Sequence, residues 1–215
     1  MEIKASDVKA LREKTGAGMM ECKKALTETN GDAVAAEKLL KEKGLAAVEK
    51  RAGRATSEGR IFIKIEGNKA VICELTCETD FVAKNTDFIQ IGNDIAATAL
   101  AKGYTEVNET LSNMLLDLAT KIRENMSLRR LELVDIPENS VVSSYVHSDG
   151  KTGVVTVISA DSAEGASNAN VAEFAYDCCL HIAAFTPAYI KRDDVDAAYV
   201  AEQTEIFAKQ VESPD

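Results

Sequence analysis

The sequence predicts an α+β protein in which a small helical unit leads, antiparallel hairpins with their helices follow, and a helix closes the chain. Three observations carry that class. Ahead of Gly44, apolar positions recur at helical spacing between turns of glycine and asparagine. From Arg60, and again from Val141, β-branched residues alternate or cluster on either side of short polar turns. Between and after these strands the helical period returns.

Ser6 is placed to cap a first helix carrying Val8 and Leu11, and Thr15-Gly16-Ala17-Gly18 ends it. Met19, Cys22 and Leu26 share one face of a second helix, with Lys23 and Lys24 one step round the cylinder, before Asn30-Gly31-Asp32 turns the chain. A third helix starts near Ala33 with the stripe Ala36, Leu39 and Leu40, and Gly44 fits the left-handed position that terminates helices. So small a unit buries little surface and is marginal alone. It is expected to pack on the rest or to be tethered for a binding task, with Lys50-Arg51-Ala52-Gly53-Arg54 as the tether.

Ile61, Ile63 and Ile65 alternate with Phe62, Lys64 and Glu66, and Gly67-Asn68 separates them from the run Ala70 to Leu75, which reads as a hairpin with a two-residue turn. Two helices follow, one carrying Phe88, Ile91, Ile95 and Ala99, the other Leu111, Leu115, Leu118 and Ile122. Leu128, Leu131 and Leu133 return the chain to strand. Val141 to Val146 then pairs with Gly153 to Ile158 across Ser148-Asp149-Gly150, and a helix with Val171, Phe174, Cys178 and Ile182 packs behind. The repeated hairpin-then-helix order suggests two related α+β subdomains. A last helix from Asp193 carries Val195, Tyr199, Ile206 and Gln210 along one side until Ser213-Pro214-Asp215, and its apolar face has no evident partner.

Composition narrows the function. The 215 residues are 46% hydrophobic and 28% charged, the balance of an ordinary globular chain. Thirty-five acidic against 25 basic residues give a net charge of −10, which repels phosphate backbones and anionic membrane surfaces, so neither nucleic acid nor membrane is expected as a direct partner. The 5 cysteines, at positions 22, 73, 77, 178 and 179, lack metal-site spacing and read as reduced cytosolic thiols. The N-terminus shows neither a secretory signal nor a transit peptide, and no apolar run approaches the roughly 20 residues that span a bilayer, so a soluble cytosolic protein is expected.

Candidates for chemistry are few. Cys178 and His181 could share a helical face as nucleophile and base, although Cys178 also belongs to an apolar stripe, where a free cysteine acts as a small hydrophobe. No phosphate-binding glycine motif is present, and Thr15-Gly16-Ala17-Gly18 reads as interhelical punctuation. Glu74, Glu78 and Asp80 could serve a metal or a proton transfer, or could be solvated charges at a hairpin end. No cofactor or resident metal is expected.

Two stretches say more. Leu11 to Leu26 (LREKTGAGMMECKKAL) and Cys77 to Lys84 (CETDFVAK) closely resemble the two signature segments of the elongation factor Ts family. The likeness continues more weakly through Lys121-Ile122-Arg123-Glu124-Asn125 with Arg129-Arg130, Tyr145-Val146-His147, and His181 to Ala184. It implies a ubiquitin-associated-like three-helix module with its tether (residues 1–54), a core of two α+β subdomains (55–140 and 141–192, the second incomplete), and the start of a helical hairpin (193–215). It also implies a non-enzymatic guanine nucleotide exchange factor of translation elongation, with the GTPase elongation factor Tu as partner.

By position, Thr79, Asp80, Phe81 and Val82 would grip that GTPase, Asp80 and Phe81 intruding beside its magnesium and phosphate site. Arg12, Met19, Met20, Lys23 and His147 would dock it. A Phe on a loop after a strand suits a wedge; the competing reading makes Phe81 core and Asp80 a helix cap. Two departures stand out. Arg123 replaces the family's usual glycine, which bears on any close backbone approach there, and the chain stops inside the first long C-terminal helix, which leaves a homodimer or heterotetramer without support. A non-catalytic adaptor working through the three-helix module, and a cysteine-dependent hydrolase, are the alternatives.

Overall fold

A computed structural model describes residues 3–189 and 191–212, so the expected ending Ser213-Pro214-Asp215 lies outside the described residues. Helices α1 (Ala5–Thr15), α2 (Met19–Glu28) and α3 (Ala33–Arg51) enclose a small core of Val8, Leu11, Cys22, Leu26, Ala36 and Leu40. Ser6 does not cap α1: the extended Lys4 precedes it, its carbonyl accepting from the Asp7 and Val8 amides at 3.1 and 3.3 Å. Ile3 packs on the same core and draws the chain in earlier than a side-chain cap would. Gly16, at φ 68°, ends α1, and the Asp32 carboxylate caps α3 by accepting from the Val34 and Ala35 amides at 2.9 and 3.0 Å.

Gly44 does not end α3, which runs on to Arg51. Its glycine answers a close approach: a Cβ there would sit 2.4 Å from Thr120 Cγ2. Lys50 and Arg51 are therefore the last turn of the helix rather than tether, and the Arg51 guanidinium donates to the Ala119 carbonyl at 3.1 Å.

β1 (Glu58–Glu66), β2 (Lys69–Cys77) and β3 (Met126–Asp135) form an antiparallel sheet in the order β1-β2-β3. The first turn is Gly67-Asn68, as Glu66 pairs with Lys69. Of the alternating residues in β1, Phe62 enters the core and the isoleucines are half-buried on the other face. Phe62 meets Phe88 of α5 (Thr86–Lys102) at 6.3 Å between ring centroids, with Val71, Leu75, Leu131, Ile95 and Ala99 completing that layer. A one-turn helix, α4 (Asp80–Ala83), stands between β2 and α5 where a loop was expected. The helix expected across Leu111 to Ile122 is divided into α6 (Glu109–Asn113) and α7 (Leu116–Ile122), because the Met114 and Leu115 amides tighten onto the Leu111 and Ser112 carbonyls at 3.2 and 3.1 Å.

β4 (Ser140–Val146) and β5 (Gly153–Ser159) form a separate hairpin, which touches β1 through the Ile61 amide donating to the Gly150 carbonyl at 2.8 Å. After a short turn, α8 (Ala163–Ala166), the long α9 (Ala169–Phe185) packs on this hairpin. The buried positions of α9 are Ala175 and Cys179; Val171, Cys178 and Ile182 are half-buried and Phe174, expected in the stripe, is 57% exposed. Small residues let α9 sit close to a two-stranded sheet, where Thr156 Oγ1 donates to the Ala175 carbonyl at 2.9 Å. The final helix, α10 (Ala197–Glu212), starts after a 3-10 turn at Arg192–Asp194 rather than at Asp193, which leaves Val195 outside it. Tyr199, Ile206 and Phe207 on α10 are open to solvent.

Gly44→Ala should lower stability. A freely placed Gly→Ala in a helix gains about 0.5–1 kcal/mol, but the Thr120 hydroxyl is fixed by the Leu116 carbonyl at 2.9 Å and its methyl cannot swing away freely. Overpacking of about 1–3 kcal/mol wins. Thermal unfolding should show a lower midpoint, and an unchanged or raised one would refute the close contact.

Candidate functional site

The segment after β2 is built to project one side chain. Cys77 ends the strand inside the core, its thiol pushed up to about 12 by burial, with the Glu124 and Glu58 charges adding to the effect. Thr79 caps α4, its Oγ1 accepting from the Val82 amide at 3.4 Å. Val82 and Ala83 are buried beneath the turn, so Val82 anchors the segment rather than facing outward. One turn of helix then leaves Phe81 pointing away from the core at 82% exposure. This removes the reading of Phe81 as core, and Asp80 is the first helical residue rather than the cap.

Asp80, beside Phe81, is half-buried, and Lys84 one turn on donates to it at 2.7 Å. That bond first, then the Lys84 charge, holds the Asp80 carboxyl below the usual carboxylate range.

Residues 121–125 secure this segment from behind. Glu124 Oε2 accepts from the Glu78 and Thr79 amides, both at 3.1 Å, and its Oε1 accepts from the Thr79 hydroxyl at 2.7 Å. In return, Glu78 Oε1 accepts from the Asn125 amide at 2.6 Å and pairs with Arg54 at 3.4 Å. The Asn125 side-chain amide donates to the Ala52 and Arg54 carbonyls at 3.1 and 2.7 Å. Lys121 pairs with Asp87 at 2.7 Å, and Arg123 pairs with Glu21 of α2. Arg123 ends α7 in the left-handed region at φ 68°, a conformation that a glycine would adopt without strain.

One ion pair and one set of hydrogen bonds therefore connect the two resembling stretches. Met19 and Met20 precede Glu21, Glu21 holds Arg123, and the next residue, Glu124, holds Thr79. Met20 is 76% exposed and Met19 is exposed beside it. Arg12 and Lys23 are exposed and form no ion pair among the described residues. His147 lies apart, after β4, with its Nδ1 2.8 Å from the Tyr145 hydroxyl. Its loop nevertheless reaches toward the site: Lys151 pairs with Glu58 at 2.7 Å, and its ammonium is raised above the usual range mainly by Glu58, with Asp149 and Asp80 contributing.

The other candidates are absorbed by structure. Glu74 binds Arg129 and Arg130 at 3.2 and 2.5 Å. Glu21 also accepts from the Gly18 amide at 3.0 Å, which occupies the interhelical turn. The His181 ring packs on Phe185 at 4.6 Å between centroids, and no hydrogen bond joins it to Cys178 among the described residues. Glu124, Glu78 and Glu21 escaped attention as positioning residues. Their partners lie far off in the chain, and the signal was only that Glu21 and Glu78 fall within the two closely resembling stretches and Glu124 within the weaker one at 121–125. Among the described residues no helix is long and apolar enough to cross a membrane.

Residues 78–215 match the family model described as Elongation factor TS. The chain is 63% identical over 211 residues to the protein named Elongation factor Ts from Treponema denticola, covering 98% of this chain and 75% of that one. It is 54% identical over 224 residues to the Elongation factor Ts of Treponema pallidum (strain Nichols), covering 99% and 77%. It is also 41% identical over 220 residues to that of Clostridium perfringens (strain 13), covering 97% and 71%.

Lys84→Met should move the Asp80 carboxyl up toward its ordinary range, because the hydrogen bond and charge that favour its ionised form are removed. A carboxyl-resolved NMR pH titration reads this directly, and an unmoved Asp80 would mean that Lys84 is not its partner in solution. Since the folded value is the depressed one, whatever stability the pair adds is present above the unfolded pKa and fades as pH falls through the folded one.

Proposed function

The chain belongs to the elongation factor Ts family and is a translation elongation factor, and we propose that it is a guanine nucleotide exchange factor for the GTPase elongation factor Tu. On this reading residues 1–54 dock the GTPase and the core inserts Phe81 and Asp80 beside its magnesium and diphosphate. The observation that carries the proposal is the exposure of Phe81, 82%, on a turn whose neighbours are buried and clasped. A large apolar ring held in water gains free energy when it enters a partner's pocket, and such an anchor is worth about 2 kcal/mol or more at a well-packed interface.

Asp80 adds a carboxylate, kept ionised by Lys84, where it competes for the ion and hydrogen-bond donors that hold a diphosphate. Arg12 and Lys23 orient the approach, Met19 and Met20 supply a soft apolar contact, and His147 extends the contact from the second hairpin. The linkage of module to wedge, from Glu21 to Arg123 and from the adjoining Glu124 to Thr79, supports one joint surface over an adaptor that uses residues 1–50 alone.

No covalent step is required, and the protein is not an enzyme in this mechanism. The factor binds nucleotide-free GTPase more tightly than the GDP-bound form, and reciprocity makes it weaken GDP by the same factor. A ten-thousandfold change corresponds to about 5.5 kcal/mol of differential binding. The site of action would be the bacterial cytoplasm, where translation proceeds.

The test is release of fluorescent GDP from purified elongation factor Tu, with this chain, with its Asp80→Ala/Phe81→Ala variant, and with buffer. The intact chain should accelerate release, and the variant should lose on the order of thirtyfold or more, as expected for about 2 kcal/mol. No acceleration by the intact chain would overturn the proposal.

A further inference from the structure

We infer that Glu124 is a positioning residue for nucleotide exchange: its carboxylate holds the peptide turn at Glu78-Thr79 so that Phe81 is presented already oriented for insertion. The inference rests on the exchange reading and adds to it a residue that itself touches neither the GTPase nor its nucleotide.

The turn needs such a hold. α4 is a single turn, with the Ala83 amide on the Thr79 carbonyl at 3.2 Å and the Lys84 amide on the Asp80 carbonyl at 3.1 Å. A lone helical turn fixes several dihedral angles for very few hydrogen bonds and does not persist by itself. Its only buried residues are Val82 and Ala83, both on the side away from Phe81. What sets the direction of the turn is Thr79, extended at φ −125° and ψ 154°, and all three donors at this corner, two amides and one hydroxyl, converge on Glu124.

Glu124 is in turn well fixed. It is half-buried, it follows the left-handed Arg123 whose amide closes α7 on the Ala119 carbonyl at 3.0 Å, and it precedes Asn125, whose amide is held by Glu78. The two carboxylates thus grip each other's backbone across the junction. No cation pairs with Glu124 among the described residues, so its charge is met by oriented N–H and O–H dipoles that only this turn supplies. Freezing a flexible wedge at the moment of insertion costs conformational entropy for every residue ordered. With the clasp in place that ordering is complete before the partner arrives.

The experiment compares the 215-residue parent chain with its Phe81→Ala, Glu124→Ala, Glu124→Gln and Phe81→Ala/Glu124→Ala variants in the fluorescent GDP release assay, each over a range of factor concentrations, with circular dichroism and thermal midpoints as fold controls. Glu124→Ala should lower the plateau release rate on the order of tenfold. The half-saturating concentration should change less than about threefold, because docking through the module is untouched. Glu124→Gln should recover most of the loss, since its carbonyl can serve both amides and its NH2 can donate to the Thr79 hydroxyl. In the Phe81→Ala background, Glu124→Ala should cause no further loss.

A merely structural role would instead lower plateau and apparent affinity together and add to Phe81→Ala. If the parent chain does not accelerate release, the exchange reading has failed; if it does and Phe81→Ala alone leaves exchange intact, there is no wedge to orient and the positioning role is refuted. If Phe81→Ala is impaired while Glu124→Ala stays within twofold of the parent, or if the two losses add in full, the positioning role is refuted. Should Glu124→Ala not fold, Glu124→Asp keeps the charge, withdraws the carboxylate by one methylene, and must show the same split.

Discussion

The reciprocal grip between Glu78 and Glu124 is the interaction on which the rest of the site depends. Each carboxylate accepts a backbone amide from the segment that carries the other, and Glu124 takes the Thr79 hydroxyl as well. Charge-assisted bonds of this kind contribute about 1.5–3 kcal/mol each when partly buried. The exposed pairs around them, Arg123 with Glu21 and Lys121 with Asp87, contribute about 0–1 kcal/mol apiece. The clasp therefore determines where Phe81 points, and the surface pairs tune what surrounds it.

Among the described residues two apolar cores stand out, one inside the helical module and one beneath the sheet. Between them Val48 of α3 packs on the sheet-side core, and polar or steric contacts add to it: Arg51 on the Ala119 carbonyl, Gly44 against Thr120, and Arg123 with Glu21. A module with so small a core gains from such docking, and the cost falls on special backbone. Arg123 in the left-handed region costs about 1–2 kcal/mol relative to a relaxed conformation, more than its exposed ion pair returns. The balance is tolerable because the residue stands next to Glu124, where the chain must turn sharply out of α7 to enter the clasp.

Legibility in the sequence followed the range of the interactions. Elements set by local pattern were readable: the Gly67-Asn68 turn, the apolar period of α5, the runs of β4 and β5. Gly44 was misread because a glycine at a helix end and a glycine under a threonine methyl look alike without the second helix. Ser6 was misread because Ile3, anchored in the core, outcompeted a side-chain cap. Phe174 was placed inside because hydrophobicity alone cannot say how wide a two-stranded sheet is, and the α9 residues buried against it are the small Ala175 and Cys179. In the site, Phe81 and Asp80 drew attention through the resembling stretch. Glu124 could not be found as their support, since the three donors it accepts come from residues distant in sequence.

That separation has a consequence for how the protein comes into being. The bonds at the corner of the turn span 45 to 47 positions, and everything between them, α5 to α7, must be in place before they can close. A growing chain that has made only its first hairpin carries Phe81 on a tether with no fixed bearing. Orientation of that ring arrives together with the entry of β3 into the sheet, so assembly of the tertiary structure and acquisition of a competent surface are a single event in the maturation of the chain.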